Sequence, residues 1–416
     1  MVSSLETGAR QNVTAGAASA CGYSCAMPLS RVLGFLTAVL MLTAGLHYYL
    51  WTRLVRGTEL PRRWRRILTT SLILLAVSLP ASMFIGRFLK IRPSAIAWPA
   101  FLWLGLLYFF FCTLVVTDVV WLLLAARRRL ASEVPTPERR LFLRRLLAGT
   151  AATVSAGLGA FAVRNAVTQP PLKDVTLTLS RLPAAHDGLV VVQMTDVHVG
   201  PTIGRDFIEG LVARTNALNP DIVVITGDLV DGSVAQLRHA TAPLGNLKAR
   251  HGVFFVTGNH EYYSGADDWL AELRRLGIRP LRNERVTIGA DDTGFDLAGV
   301  DDHSARGQAP GHGSDLPAAL AGRDPSRFVL LLAHQPRTVT EAAEHGVDVQ
   351  LSGHTHGGQL WPWGFLVKLQ QGFERGLATV GPTTLYVSCG TGYWGPPMRL
   401  GAPAELTRLT LRRAIV

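Results

Sequence analysis

Residues 189–198 read LVVVQMTDVH. The first six form a short run, rich in β-branched side chains, that predicts a buried strand at residues 189–194. Asp196 and His198 follow this run directly. Because residues two positions apart point to the same side of an extended backbone, both side chains are predicted to face one point beyond the strand.

The same arrangement, a strand followed by polar side chains, recurs along the second half of the chain. Further buried strands are predicted at residues 222–226, 253–256, 328–332 and 347–351. Amphipathic segments at 206–218 and 266–276 predict helices between strands, which indicates a layered α/β fold. The polar residues after these strands are Asp228, Asn259, His260, His334, His354 and His356. Side chains at the carboxyl ends of parallel strands meet at one sheet edge, so one site is predicted.

Carboxylates and imidazoles in this number are typical of a site that holds two divalent metal ions. Two ions about 3.5–4 Å apart neutralise a phosphate group and lower the pKa of a bridging water, which then attacks as hydroxide. A carboxylate that bridges the ions holds them together, and imidazoles complete the coordination. Ligands without a thiolate suit Mn, Fe, Zn or Co alike.

In this order the five motifs resemble the calcineurin-like metallophosphoesterase family, in its membrane-anchored bacterial type, from Leu189 to the end of the sequence. The resemblance implies a four-layer α-β-β-α sandwich that holds two metal ions. One metal would be bound by Asp196, His198 and His356, with Asp228 as the bridge between the metals. The second metal would be bound by Asn259, His334 and His354. His260 would act as the general acid that protonates the departing oxygen.

The function that follows is metal-dependent hydrolysis of a phosphate ester, with a phosphodiester or pyrophosphate bond favoured over a monoester. The substrate class is a phosphorylated small molecule or a lipid. Two tryptophans, Trp361 and Trp363, follow the last ligands. They predict either an apolar wall for a lipid substrate or, equally, an aromatic cluster that packs the loop onto the sheet. The alternative function is a membrane sensor or scaffold that binds a phosphorylated ligand without turnover.

Two acidic residues near the ligands have simpler interpretations. Asp231 precedes a glycine, which favours a turn, although it could also orient a ligand from behind. Glu261 is predicted to begin a helix, where a carboxylate complements the helix dipole.

Charge separates the two halves of the chain. Residues 1–173 contain 20 Lys and Arg against 5 Asp and Glu, whereas residues 174–416 contain 21 against 25. The basic residues flank long apolar runs instead of forming a soluble patch, so a membrane is expected as a partner and nucleic acid is not.

Four apolar segments predict transmembrane helices, at residues 32–51, 67–85, 96–126 and, more weakly, 146–163. Arginines crowd the connections between the first and second and between the third and fourth segments, so these connections are predicted to be cytoplasmic. This predicts a multi-pass protein of the plasma membrane with its catalytic domain on the outer face. Asp118 lies within the third segment and is assigned no role.

The predicted domains are a flexible tail at residues 1–30, a transmembrane module at 31–168 and a catalytic domain at 174–416. The stretch RRLFLR at residues 139–144, before an Ala- and Gly-rich segment, resembles a twin-arginine export signal. Residues 139–163 are therefore compatible with either an export signal or a retained span.

Overall fold

The computed structural model describes residues 29–88, 94–130 and 136–414. The flexible tail predicted at residues 1–30 lies outside the described residues, apart from its last two. The chain divides into two compact units, Met1–Met41 and Leu42–Val416. The second unit contains the catalytic fold and most of the helical region that precedes it.

Four long helices occupy the part of the chain in which four apolar segments are predicted. They are α1 (Leu29–Leu50), α2 (Arg62–Phe88), α3 (Ser94–Leu130) and α4 (Pro137–Val167). Within the described residues, two stretches have the length and apolar composition of a membrane span, Ala95–Arg127 in α3 and Pro137–Val167 in α4. The arginine-rich start of α2 lowers its apolar content.

The helices pack through small and apolar side chains. Leu50, Trp103, Leu114 and Ala151 are buried together. Polar side chains also join the helices, since the Trp103 indole Nε1 donates to His47 Nε2 at 2.9 Å. Close packing of small residues with occasional interhelical hydrogen bonds is typical of helices in lipid.

The catalytic fold contains two six-stranded sheets. The first has the order β1-β12-β2-β3-β4-β5 and the second the order β10-β11-β9-β8-β7-β6. The strands of the first sheet are β1 (Leu172–Leu179), β2 (Leu189–Met194), β3 (Ile222–Ile225), β4 (Val253–Phe255), β5 (Arg279–Pro280) and β12 (Leu406–Arg413). Those of the second are β6 (Glu284–Ile288), β7 (Phe295–Gly299), β8 (Val329–Leu332), β9 (Val349–Ser352), β10 (Gly376–Val380) and β11 (Thr383–Val387).

The two sheets pack face to face, and helices cover their outer faces. Val191 and Val224 of the first sheet share an inner core with Leu330 and Leu351 of the second. The shorter helices are α5 (Arg205–Ala217), α6 (Val234–Thr241), α7 (Asn259–Ser264), α8 (Ala266–Arg275), α9 (Leu316–Ala319), α10 (Val339–Glu344) and α11 (Gly364–Gln371). Helices α5, α6 and α8 pack on the first sheet, and α9 and α10 on the second. The predicted four-layer α-β-β-α sandwich is confirmed.

Parallel pairing explains where the site forms. Strand β2 pairs parallel with β3, and β3 with β4. In the second sheet β7, β8 and β9 are also parallel neighbours. The loops after β2, β3, β4, β8 and β9 therefore leave the sheets at a common edge.

Candidate metal centre

The seven predicted metal ligands all lie in these loops. Three groups of side chains have ligand atoms within 4.8 Å of one another, and two of them consist of predicted metal ligands alone. The first ligand cluster is Asp196, His198 and His356. The second ligand cluster is Asp228, His334 and His354. These two clusters contain six of the seven predicted ligands, and the third group joins His198 to Asp231 and His260.

Distances in the first ligand cluster suit a shared cation. The Nε2 atoms of His198 and His356 lie 3.1 Å apart, and His356 Nε2 lies 3.4 Å from Asp196 Oδ1. Two nitrogens on one tetrahedral ion at about 2.05 Å would lie about 3.3 Å apart. The side chains therefore converge at the spacing that a common ion requires.

Asp228 joins the two clusters through one oxygen. Its Oδ2 atom lies 3.2 Å from His334 Nε2 and 3.8 Å from His198 Nε2. His354 Nδ1 completes the second cluster at 3.2 Å from His334 Nε2. A carboxylate in this position is suited to bridge two cations.

Asn259 supplies an independent indication that a cation fits here. Its Oδ1 atom is buried and has no hydrogen-bond partner among the described residues. A buried carbonyl oxygen without a donor carries a large desolvation penalty, which a metal ion would relieve. Asn259 also lines the same cavity as Asp228 and His354.

The electrostatics of His356 and Asp228 agree with this role. Burial and the neighbouring His198 hold the pKa of His356 well below its usual value, so its imidazole stays neutral and free to coordinate. Although burial opposes it, the imidazole of His334 holds the pKa of Asp228 well below its usual range. Asp228 is therefore an anion within a pocket of nitrogen ligands.

The backbone is strained at the ligands themselves. Five of them have positive φ angles, between 50° and 69°, a region that residues other than glycine rarely adopt. They are Asp196, His198, Asp228, His354 and His356. Such strain persists where the surrounding fold over-determines it, and it concentrates at functional sites.

Two glycines let the chain pass close to the ligand carboxylates. A Cβ atom at Gly353 would overlap the Asp196 carboxylate, and one at Gly258 would overlap the carboxylate of Asp228. Any larger residue would displace a ligand, which explains why these motifs contain glycine at these positions.

His260 lies beside the ligands and is held from behind by Asp231. Its Nδ1 atom is 2.6 Å from Asp231 Oδ1, and its Nε2 atom is 4.0 Å from Asp228 Oδ2. Burial lowers the pKa of His260, but the carboxylates of Asp228 and Asp231 outweigh it and raise the pKa to about 9. A protonated imidazole directed into the cavity is suited to donate a proton. The orienting interpretation of Asp231 is favoured over the turn.

Glu261 does more than begin helix α7. Its carboxylate accepts hydrogen bonds from the backbone N–H groups of Gly258, Asp228 and Leu229, at 2.6, 3.0 and 2.8 Å. One side chain thereby fixes the two loops that carry Asp228 and Asn259. Its spacing of three residues from Gly258, at the start of a helix, is the signal that could have indicated this role.

Arg399 was not singled out by the sequence and is fully buried behind the first ligand cluster. Its guanidinium donates to the backbone oxygens of Gly392, Ala402 and Cys389, at 2.7 to 2.9 Å, and lies 3.3 Å from His356 Nδ1. It therefore supports the loop that carries His356.

A cavity of about 400 Å³ opens in front of the ligands. His260, His354, His356 and Trp363 are among the residues that line it. Trp361 is exposed beside the cavity and is not part of its lining. Of the two predicted aromatic wall residues, one thus faces the site.

Comparison with known proteins gives consistent matches. The sequence model of the calcineurin-like phosphoesterase family matches residues 189–358. A Bos taurus protein named "Transmembrane protein with metallophosphoesterase domain" is 43% identical over 316 residues, which are 73% of this chain and 70% of the relative. A Danio rerio protein of the same name is 35% identical over 404 residues, 92% of this chain and 90% of the relative.

A bacterial relative matches the catalytic fold. An "Uncharacterized metallophosphoesterase" of Helicobacter pylori is 42% identical over 247 residues, 59% of this chain and 65% of the relative. The similarity to the Danio rerio protein spans the helices as well as the sheets, and the ligand geometry fits divalent metal ions. The chain is a member of the calcineurin-like metallophosphoesterase family.

Proposed function

We propose that this protein is a membrane-anchored phosphoesterase that uses two divalent metal ions to hydrolyse a phosphodiester or pyrophosphate bond. The observation that carries the proposal is the position of Asp228 Oδ2, within 3.8 Å of an imidazole nitrogen from each ligand cluster. A single carboxylate oxygen between two sets of nitrogen ligands serves one purpose well, which is to hold two cations close together.

The residues present divide the chemical work. When bound, the two ions neutralise phosphoryl charge and supply a water nucleophile of lowered pKa. Asp196, His198 and His356 would hold one ion, Asn259, His334 and His354 the other, with Asp228 shared. His260 donates its Nε2 proton to the departing oxygen, and Asp231 keeps that imidazole oriented and charged.

The form of the cavity supports a substrate whose phosphate carries an apolar group. Its lining combines metal ligands with the apolar side chains of Leu360, Trp363 and Val367. A phosphomonoester of a small polar molecule would leave this apolar wall in contact with water. A diester or pyrophosphate linked to a lipid would use both parts of this lining.

The arginine distribution supports a catalytic domain on the outer face of the plasma membrane. Arg53 and Arg56 lie in the connection after α1, whereas α4 ends close to β1 with few basic residues. Protease added to intact cells or to spheroplasts tests this topology. Cleavage of the catalytic domain in spheroplasts supports it, and protection in both preparations refutes it.

Activity is tested on the purified full-length protein with bis(4-nitrophenyl) phosphate, lipid phosphodiesters and phosphomonoesters, after loading with Mn²⁺, Fe²⁺, Co²⁺ or Zn²⁺. Hydrolysis that disappears in Asp228→Asn and persists in Asp174→Asn, a substitution at an exposed carboxylate of β1, supports the proposal. A protein that binds phosphorylated ligands but cleaves none of them would instead be a sensor.

A further inference from the structure

The catalytic fold rests directly on the first part of helix α3. The Tyr108 hydroxyl donates to the backbone oxygen of Leu360 at 3.2 Å. Phe109 is buried together with Leu360 and Met398. At Gly105 a Cβ atom would overlap Met398, so the helix and the loop approach as closely as glycine allows.

Helix length shows how deep this contact lies. The apolar stretch of α3 extends over 33 residues, Ala95–Arg127, and the arginines stand at its far end. A helix needs only about 20 residues to cross the hydrocarbon layer. Counted back from Arg127, the layer ends at about residue 107, so Leu104 and Tyr108 lie at the membrane surface.

These two residues also form part of the wall of the cavity. Leu104 and Tyr108 line it together with Trp363, Val367 and Pro396, and the ligand His354 lines the same cavity. The metal ligands and a membrane-spanning helix therefore border one space. A helix that served only as a membrane anchor would not need to line the cavity.

Helix α11 and Trp361, which precedes it, expose an apolar surface next to the cavity. Leu369 is 85% and Phe365 is 70% exposed, and Trp361 and Leu366 are also exposed. We name these four residues the α11 patch. Exposed apolar side chains with a tryptophan among them fit the interface of a bilayer.

We propose that α3 is a wall of the active site and that the cavity holds the first part of an alkyl chain whose remainder stays in the bilayer. The substrate class is a lipid whose phosphate reaches the ligand clusters while its chain runs past Leu104 and Val367. The α11 patch seats this opening on the lipid surface. The inference rests on the proposed function and specifies its substrate.

The test measures inhibition by methyl, octyl and dodecyl phosphate. The full-length, Mn²⁺-loaded protein is placed in phosphatidylcholine nanodiscs, and hydrolysis of bis(4-nitrophenyl) phosphate is followed. Each buried methylene group strengthens binding about fourfold. The inhibition constant of methyl phosphate divided by that of dodecyl phosphate measures how much the alkyl chain strengthens binding. We expect Leu104→Trp, which fills the cavity, to reduce this ratio about tenfold or more. Val367→Trp, in the part of the lining that α11 contributes, should reduce it similarly.

The matched control is Val116→Trp, on the same helix but at a position that is 63% exposed and distant from the cavity. This control separates binding in the cavity from partitioning of the inhibitor's alkyl chain into the nanodisc. It should leave the ratio unchanged. Equal ratios in wild type, Leu104→Trp and Val367→Trp, or equal changes in Val116→Trp, would overturn the inference. A wild-type protein that cleaves no diester overturns the proposed function instead.

Discussion

Replacing Asp231 by Asn should move the alkaline limb of the pH–rate profile toward neutral pH. Asp231 Oδ1 lies 2.6 Å from His260 Nδ1, and its charge, with that of Asp228, raises the pKa of His260 to about 9 against the effect of burial. Asparagine keeps the shape and removes the charge. Only the protonated imidazole can act as an acid, so activity falls above its pKa.

The size of the shift follows from the charge that the hydrogen bond between Asp231 and His260 loses. A hydrogen bond to a charged partner is worth about 1.5–3 kcal/mol, and 1.36 kcal/mol corresponds to one pKa unit. The limb should therefore move down by about one to two pH units. At pH 9, kcat/KM of the variant should be roughly tenfold below that of the wild type, while the difference at pH 6.5 stays small.

The assay is kcat/KM between pH 6 and 10 for a diester with an alkoxide leaving group. The same profile with a 4-nitrophenyl diester is an internal comparison, since that leaving group needs little protonation and should show a smaller shift. Asp187→Asn, at an exposed position, is the matched control. An alkaline limb at the same pH in Asp231→Asn and wild type would refute the assigned relation between Asp231 and His260.

Three further predictions concern the same site. His260→Gln should lower kcat on an alkyl diester by about 10²- to 10⁴-fold with unchanged metal content by elemental analysis; loss of metal would show a structural role instead. Glu261→Ala leaves three buried N–H groups without an acceptor, so the free energy of unfolding should fall by about 3–5 kcal/mol. The melting temperature, followed by fluorescence, should be at least about 6 °C lower, whereas Glu344→Ala, at an exposed position, should change it little. Dialysis against a chelator should abolish hydrolysis and Mn²⁺ should restore it; full activity in metal-free protein would contradict the metal centre.

The sequence predicted the strands that carry the ligands because those strands are apolar on both faces. The structure places β2 at the predicted residues 189–194, and β3 and β4 within one residue of prediction. Strands buried on both sides stand out as continuous apolar runs, as expected for the centre of a parallel sheet. Their order along the chain was then enough to predict a common edge.

The outer strands were missed because only one of their faces is buried. Strand β1 alternates exposed and buried residues, and β10 alternates exposed and half-buried residues. The alternation of LKDVTLTL, residues 172–179, was a usable signal. Strand β5, with two residues, is too short to leave any pattern.

Within the site, the sequence indicated the residues that face the cavity but not those that support them. The structure brings the seven predicted ligands and His260 together. The spacing of Glu261 from Gly258 could have indicated its contact at the start of helix α7, but not its contacts to Asp228 and Leu229 more than thirty residues earlier. Arg399 contacts backbone oxygens of the irregular loops around it, which no sequence pattern indicates. The membrane topology and the domain boundaries stay predictions.

Strand β12 lies between β1 and β2 in the first sheet. Strands β1 and β2 follow each other in sequence, but the strand that hydrogen-bonds to both of them is synthesised more than two hundred residues later. Until then both strands present unpaired edges, a state that favours aggregation or capture by a chaperone. Thr391, from the same late segment, donates its N–H to the Thr195 carbonyl next to a ligand. Assembly of the metal-binding edge is therefore a late event in biosynthesis.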